Sequence, residues 1–231
     1  MAKSNNNGAA AVQEQSLNSQ EAFFLKYRKQ ILIAVAAVVI AVSGYVIYTS
    51  FFSAPREDKA STALAKAQEA FGQGDYQKAL NGDKTQEGFL AVADNYGGTD
   101  AANLAELYAG LCYANLGKWQ EAVKHLDGFS SCGDAMISPA ATAALGNALA
   151  NTGDIDKAVS TLEKAAKMAD SESAEGVNNS LSPTFLIQAA RLLESQGKTE
   201  DALAIYKDVK AKYVNSSAAY DIDKYIERTT K

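Results

Sequence analysis

The sequence predicts an all-α protein: a single N-terminal transmembrane helix, then an α-solenoid of about four helix pairs with a C-terminal capping helix. Three observations carry this reading. Residues 31–52 form an uncharged run of 22 residues. From residue 56 onward apolar residues recur at helical spacing and proline is nearly absent. Four glycine-centred turns, Gly74-Asp75-Tyr76, Gly117-Lys118-Trp119, Gly153-Asp154-Ile155 and Gly197-Lys198-Thr199, stand 43, 36 and 44 residues apart.

The apolar run comes first. At about 1.5 Å per residue it is roughly 33 Å long, enough to cross a bilayer core. Twelve of its residues are Ile, Leu, Val or Phe, and together they favour insertion by about 4–7 kcal/mol. A secretory leader has a shorter apolar region, and Phe52 and Pro55 make a poor cleavage site after Ala54. Lys26, Arg28 and Lys29 precede the run, while Arg56 and Lys59 beyond it are mixed with Glu57 and Asp58. That bias predicts a cytoplasmic N-terminus. Residues 1–30 read as a disordered cytoplasmic tail, 31–52 as the membrane helix and 53–231 as the exported domain. Ala34, Ala37, Ala41 and Gly44 share one helix face, a small-residue seam on which another membrane helix could pack.

The repeats follow. Aligned on the four glycines, Ala79, Ala122, Ala158 and Ala202 fall in one column, and Ala67, Gly110, Gly146 and Ala190 in another. Alanine makes up 43 of 231 residues, so a four-alanine column has a chance frequency of only about 0.001 at one register. Small residues are needed where two antiparallel helices cross closely. A glycine after the first helix suits a left-handed turn. The frame places repeats over about 60–98, 101–134, 139–170 and 183–217, with a capping helix over 218–228. The first repeat carries an insertion between Ala79 and Phe89, and 170–182 reads as a long polar loop. Ser138-Pro139 and Ser182-Pro183 read as N-cap serines followed by proline at the first helical position.

This pattern resembles the tetratricopeptide repeat (TPR), whose period is about 34 residues. The second repeat carries it best, with Gly110, Tyr113, Gly117, Trp119, Ala122 and Phe129. The third supplies Leu145, Gly146, Gly153, Ala158 and Ala165.

Composition narrows the chemistry. The net charge is −5 and there is one His among 231 residues, which argues against nucleic acid as the main partner and removes any multi-histidine metal site. Residues 1–30 carry four cations against two acids, so the tail is +2 and the remainder −7. No nucleophile motif, metal cluster or phosphate loop appears, so no enzyme activity, cofactor or catalytic residue is predicted. His125 reads as a surface residue. Cys112 and Cys132 lie at different heights of their helix pair, one of them buried.

The TPR resemblance implies a concave protein-binding face lined by the first helix of each pair. On it fall Leu104, Leu107, Leu111, Asn115, Asn147, Asn151, Ile187 and Arg191. The clamp with which some TPR domains hold a C-terminal carboxylate needs several cations here, and only Arg191 is present. The whole layout is a short tail, Phe23 and Phe24 with Lys26, Arg28 and Lys29, one anchor ending Gly44-Tyr45, and an exported repeat domain. It resembles the bacterial translocon-ancillary TPR proteins of the YfgM type. That likeness implies a single-pass protein of the bacterial inner membrane with a periplasmic domain. Its partners would be translocon subunits, periplasmic chaperones or exported chains. The alternative is an adaptor for cell-envelope assembly or division.

Overall fold

The computed structural model describes residues 19–230. The chain falls into two units that meet between Phe52 and Ser53. The first contains α1 (Ser19–Tyr48), whose apolar side chains are exposed, Ile40 by 72%. Among the described residues it contributes the one helix long and apolar enough to cross a membrane. Its most apolar stretch has a mean hydropathy of 2.6, and none of that stretch is buried.

Of the disordered tail expected over 1–30, residues 1–18 lie outside the described residues, and 19–30 are helical. The reason is local. No Gly or Pro occurs between Ser19 and Ser43, and Gln, Glu, Leu, Lys and Arg are good helix formers. Extending an existing helix is far cheaper than nucleating one. A π-helical turn, Thr49–Ser53, follows α1.

The second unit is a series of helix pairs. α2 (Ala54–Gly72) precedes a short α3 (Tyr76–Asn81) and α4 (Phe89–Asn95). Then come α5 (Asp100–Asn115) with α6 (Trp119–Gly128), and α7 (Ile137–Asn151) with α8 (Ile155–Ser171). The last pair is α9 (Ser182–Ser195) with α10 (Thr199–Lys212). A 3-10 turn at Ser217–Tyr220 leads into α11 (Ile222–Thr229), so the capping helix is shorter than expected and starts four residues later. The insertion in the first repeat ends α3 early; a single antiparallel bridge, Gly82 to Glu87, closes the loop before α4.

The turns explain the repeat. Gly74, Gly117, Gly153 and Gly197 all adopt left-handed φ values, from 72° to 91°. In the second repeat the Gly117 N–H donates to the Ala114 carbonyl at 3.0 Å and the Lys118 N–H to that of Tyr113 at 2.9 Å. The same paired bonds recur after α2, α7 and α9, and they occupy carbonyls a helix end leaves orphaned. Ala79, Ala122, Ala158 and Ala202 are fully buried at the helix crossings. Gly110 packs so closely on α6 that a Cβ there would lie 2.5 Å from Leu126 Cγ.

Three apolar clusters run in series along this unit. The first joins α2, α3, α4 and α5 around Phe89, Leu80 and Val92. The second lies around Leu107, Leu126 and Ala148. The third spans α7 to α11 around Leu162, Tyr206, Val209 and Ile222.

The serines before the two inner prolines are not N-caps. Asp134 caps α7: its carboxylate accepts from the N–H groups of Met136 (2.8 Å) and Ile137 and from Ser138 Oγ (2.6 Å). Asn178 plays the matching part before α9, accepting from the N–H groups of Ser180 at 3.1 Å and Leu181 at 2.9 Å. Asp and Asn reach their own backbone two and three residues on more readily than serine does. Ser138 and Ser182 are buried and serve as tethers instead.

The loop after α8 is anchored by a buried acid. Asp170 accepts from Tyr213 Oη at 2.8 Å, Lys212 Nζ at 2.6 Å, Ser182 Oγ at 2.7 Å and the Asn178 N–H at 2.8 Å. Burial pushes its carboxyl up, but those four donors outweigh burial and hold it below the usual 3.8. Glu194 similarly holds α11, accepting from Arg228 at 2.5 Å, Thr229 at 2.8 Å and Tyr206 at 3.0 Å.

Candidate functional site

An apolar groove lies between α5 and α7, the first helices of the two central pairs. On α5, Leu104, Leu107, Tyr108 and Leu111 are spaced so that all four point to one side. On α7, Ile137, Ala140, Ala141 and Ala144 do the same. Gln68 of α2 and Met136 complete a groove of about 580 Å³. Tyr108 is fixed by stacking on Phe89 at 5.1 Å and by an edge contact with Phe71 at 5.3 Å. Leu107 forms the floor, 7% exposed and packed into the second cluster.

The small residues of α7 make the groove. Alanines leave open space opposite the leucines of α5, where larger side chains would fill it. Met136 and Ile137 stand at its mouth, 62% and 49% exposed, held outward by the Asp134 turn. The loop upstream of that turn is held by Asn103, which receives the Ser130 N–H at 2.7 Å and donates to the Ser130 carbonyl at 2.8 Å. A more polar cleft of about 790 Å³, lined by Thr99, Asn103, Ser130 and Cys132, shares Leu104 and Ile137 with the groove.

Of the sequence-predicted face, the groove gathers Leu104, Leu107 and Leu111. Asn115, Asn147, Asn151 and Arg191 are exposed beyond it, and Ile187 packs against the third cluster. Asn115 and Asn151 each engage one amide N–H on their own helix, donating to the carbonyls of Leu111 and Asn147 at 2.8 Å. Tyr108, Met136, Ile137, Ala140, Ala141 and Ala144 were not foreseen. Those on α7 carry a helical spacing that could have revealed them, whereas Met136 lies before the helix and carries no periodic signal. Ala34, Ala37, Ala41 and Gly44 are exposed on α1.

The electrostatics are one-sided. α7 contains no charged residue along its length. α5 has two acids, and neither faces the groove: Asp100 opens the helix, and Glu106 lies 2.7 Å from His125 Nδ1. His125 is therefore not a surface residue; its side chain is 13% exposed and its ring stacks on Tyr113 at 5.2 Å. The acid on α5 and the ring on α6 satisfy each other across the pair. The start of α5 is also occupied. Thr99 Oγ1 accepts from the Ala102 N–H, while Glu57 of α2 accepts from the N–H groups of Asp100 at 2.8 Å and Ala101 at 3.0 Å. Cys112 is fully buried, which pushes its thiol up to about 12, and Cys132 is exposed; both are free. Among the described residues no group of three His, Cys, Asp or Glu could hold a metal ion.

Stacked helix pairs with left-handed glycine turns, small residues at each crossing and an apolar groove on the first-helix face define a helical-repeat scaffold for binding other proteins. The tetratricopeptide repeat-like domain family matches residues 21–177, and a tetratricopeptide repeat matches residues 186–216. The chain belongs to the tetratricopeptide repeat-like family. No curated protein matches it. The first match begins ahead of the apolar run, so it takes in that run together with the first three helix pairs.

Proposed function

We propose that this protein is a membrane-anchored TPR scaffold that binds protein partners on the periplasmic side of a bacterial inner membrane, ancillary to the Sec translocon and periplasmic chaperones. The observation that carries the reading is the groove of Leu104, Leu107 and Leu111 on the first-helix face of a TPR chain that also carries an exposed apolar helix. A soluble domain that leaves large side chains such as Met136 in water, beside an open apolar groove, is presenting a surface for association. Asn115, Asn147, Asn151, Ile187 and Arg191 extend that face toward the last pair.

The anchor supports the location. Exposed apolar side chains all round α1 suit lipid, and Lys26, Arg28 and Lys29 at its start favour a cytoplasmic N-terminus. Ala34, Ala37, Ala41 and Gly44 would let a partner's membrane helix approach closely. Replacing Ala37 and Ala41 with Leu then weakens co-purification of a membrane partner.

In-membrane crosslinking followed by mass spectrometry tests the role. Crosslinks to translocon subunits and nascent exported chains are expected. Crosslinks to envelope-assembly or division subunits alone would replace this role with that of an envelope adaptor. Protease protection tests the orientation, with residues 56–231 resistant from the cytoplasmic side.

A further inference from the structure

We infer that the groove between α5 and α7 takes an uncharged, apolar polypeptide segment, such as one exposed by a chain not yet folded, and discriminates against acidic tails. This rests on the scaffold reading above and adds the chemistry of the partner. Three observations carry it.

The first is the charge pattern. No lining residue of the groove is ionisable at neutral pH, and α7 is uncharged throughout. The second helices are different: α8 alone carries Asp156, Lys157, Glu163, Lys164, Lys167 and Asp170. Around the groove, charge is thus concentrated on α6 and α8, the second helices of the two central pairs. A carboxylate entering the groove would lose water and find no cation to replace it, a cost that an uncharged segment does not meet.

The second is the state of the amides. Asn115 and Asn151 both donate to their own helix carbonyls at 2.8 Å. Both residues also lie beyond the groove's lining, so neither brings an amide donor into it for a chain-terminal carboxylate.

The third is the mouth. Asp134 fixes the turn that carries Met136 and Ile137 into solvent, and Asn103 holds the loop upstream of it at Ser130. Holding two large apolar groups in water is unfavourable unless something covers them. Methionine, flexible and polarisable, adapts to varied apolar side chains. A fixed turn with an adaptable tip suits segments that share apolar character rather than one sequence. Beyond Leu104 and Ile137, the adjoining cleft offers Thr99, Asn103 and Ser130 to the backbone of a segment running out of the groove.

The test uses the full chain in lipid nanodiscs and two fluorescent peptides of equal length. One is built from Leu, Ala, Asn and Ser, and the other carries the same apolar residues but ends in several Glu. Fluorescence anisotropy is read against empty nanodiscs. The uncharged peptide is expected to bind at least about tenfold more tightly, with an affinity that does not fall when added salt shortens the screening length from about 10 Å to about 3 Å. Met136→Asp and Ala140→Asp, both at exposed positions where folding is not at stake, should each weaken that binding by about tenfold or more. Tighter binding of the acidic peptide, or binding unchanged in both variants, overturns the inference while leaving the scaffold reading to its own crosslinks. Binding of neither peptide overturns it as well.

Discussion

Gly110 and Leu126 touch across the second helix pair so closely that a Cβ on the glycine would sit 2.5 Å from Leu126 Cγ. The same relation recurs in the third pair, where a Cβ on Gly146 would lie 2.9 Å from Leu162 Cγ. These contacts set the distance between first and second helices, and so the position of the α5 leucines that line the groove. Gly110→Val should destabilise the repeat domain by about 1–3 kcal/mol through overpacking. Thermal unfolding followed by circular dichroism would show the loss, and an unchanged midpoint would mean that the pair can spread without penalty.

Gly117 fails for a different reason when replaced. A Cβ there meets no neighbour, yet the residue sits at φ +72°. Gly117→Ala should therefore cost about 1–2 kcal/mol from the backbone alone. Chemical denaturation of Gly117→Ala beside Gly110→Ala separates strain from packing: a Leu126→Ala background should relieve only the second.

Glu57 supplies the start of α5 from another helix, 43 residues away in sequence from Asp100. Glu57→Ala should expose the N–H groups of Asp100 and Ala101 and cost about 1 kcal/mol, as loss of a cap does. Hydrogen exchange at those two amides would quicken, while exchange in α9 and α10 stays as it was.

Acid should loosen the C-terminal pairs. Asp170 is held below its usual value by its donors, despite the burial that opposes ionisation. A depressed carboxylate stabilises fully above its unfolded value and loses that stabilisation as pH falls through the folded one. The loss should thus begin near the unfolded value of 3.8 and deepen below it. Asp170→Asn should cost about 1–3 kcal/mol at neutral pH and flatten this acid arm, measured as melting midpoint against pH.

Much of the fold was legible because its constraints act on single residues at fixed intervals. Left-handed turns demanded Gly74, Gly117, Gly153 and Gly197, and close crossings demanded Ala79, Ala122, Ala158 and Ala202. The resemblance to the repeat family placed Leu104, Leu107 and Leu111 on the first-helix face, and these three line the groove. Features that depend on long-range partners were not. Asp170 looked like part of a polar loop because its partners Lys212 and Tyr213 are more than 40 residues away. His125 looked exposed because Glu106 and Tyr113 belong to the other helix of its pair. Ser138 and Ser182 precede proline as caps do, yet Asp134 and Asn178, four residues before each, have the better reach. Met136 owes its place at the groove to the Asp134 turn, which only the folded chain displays.

A scaffold of this kind is proposed to bind its partners on the first-helix face, at the groove between α5 and α7. Photo-crosslinking inside intact membranes tests it most directly, with a photoreactive residue at Ala140 in the groove or at Lys164 on the charged second-helix layer. Polypeptide adducts from Ala140, and few from Lys164, are the predicted result. Adducts from Lys164 with none from Ala140 would contradict it.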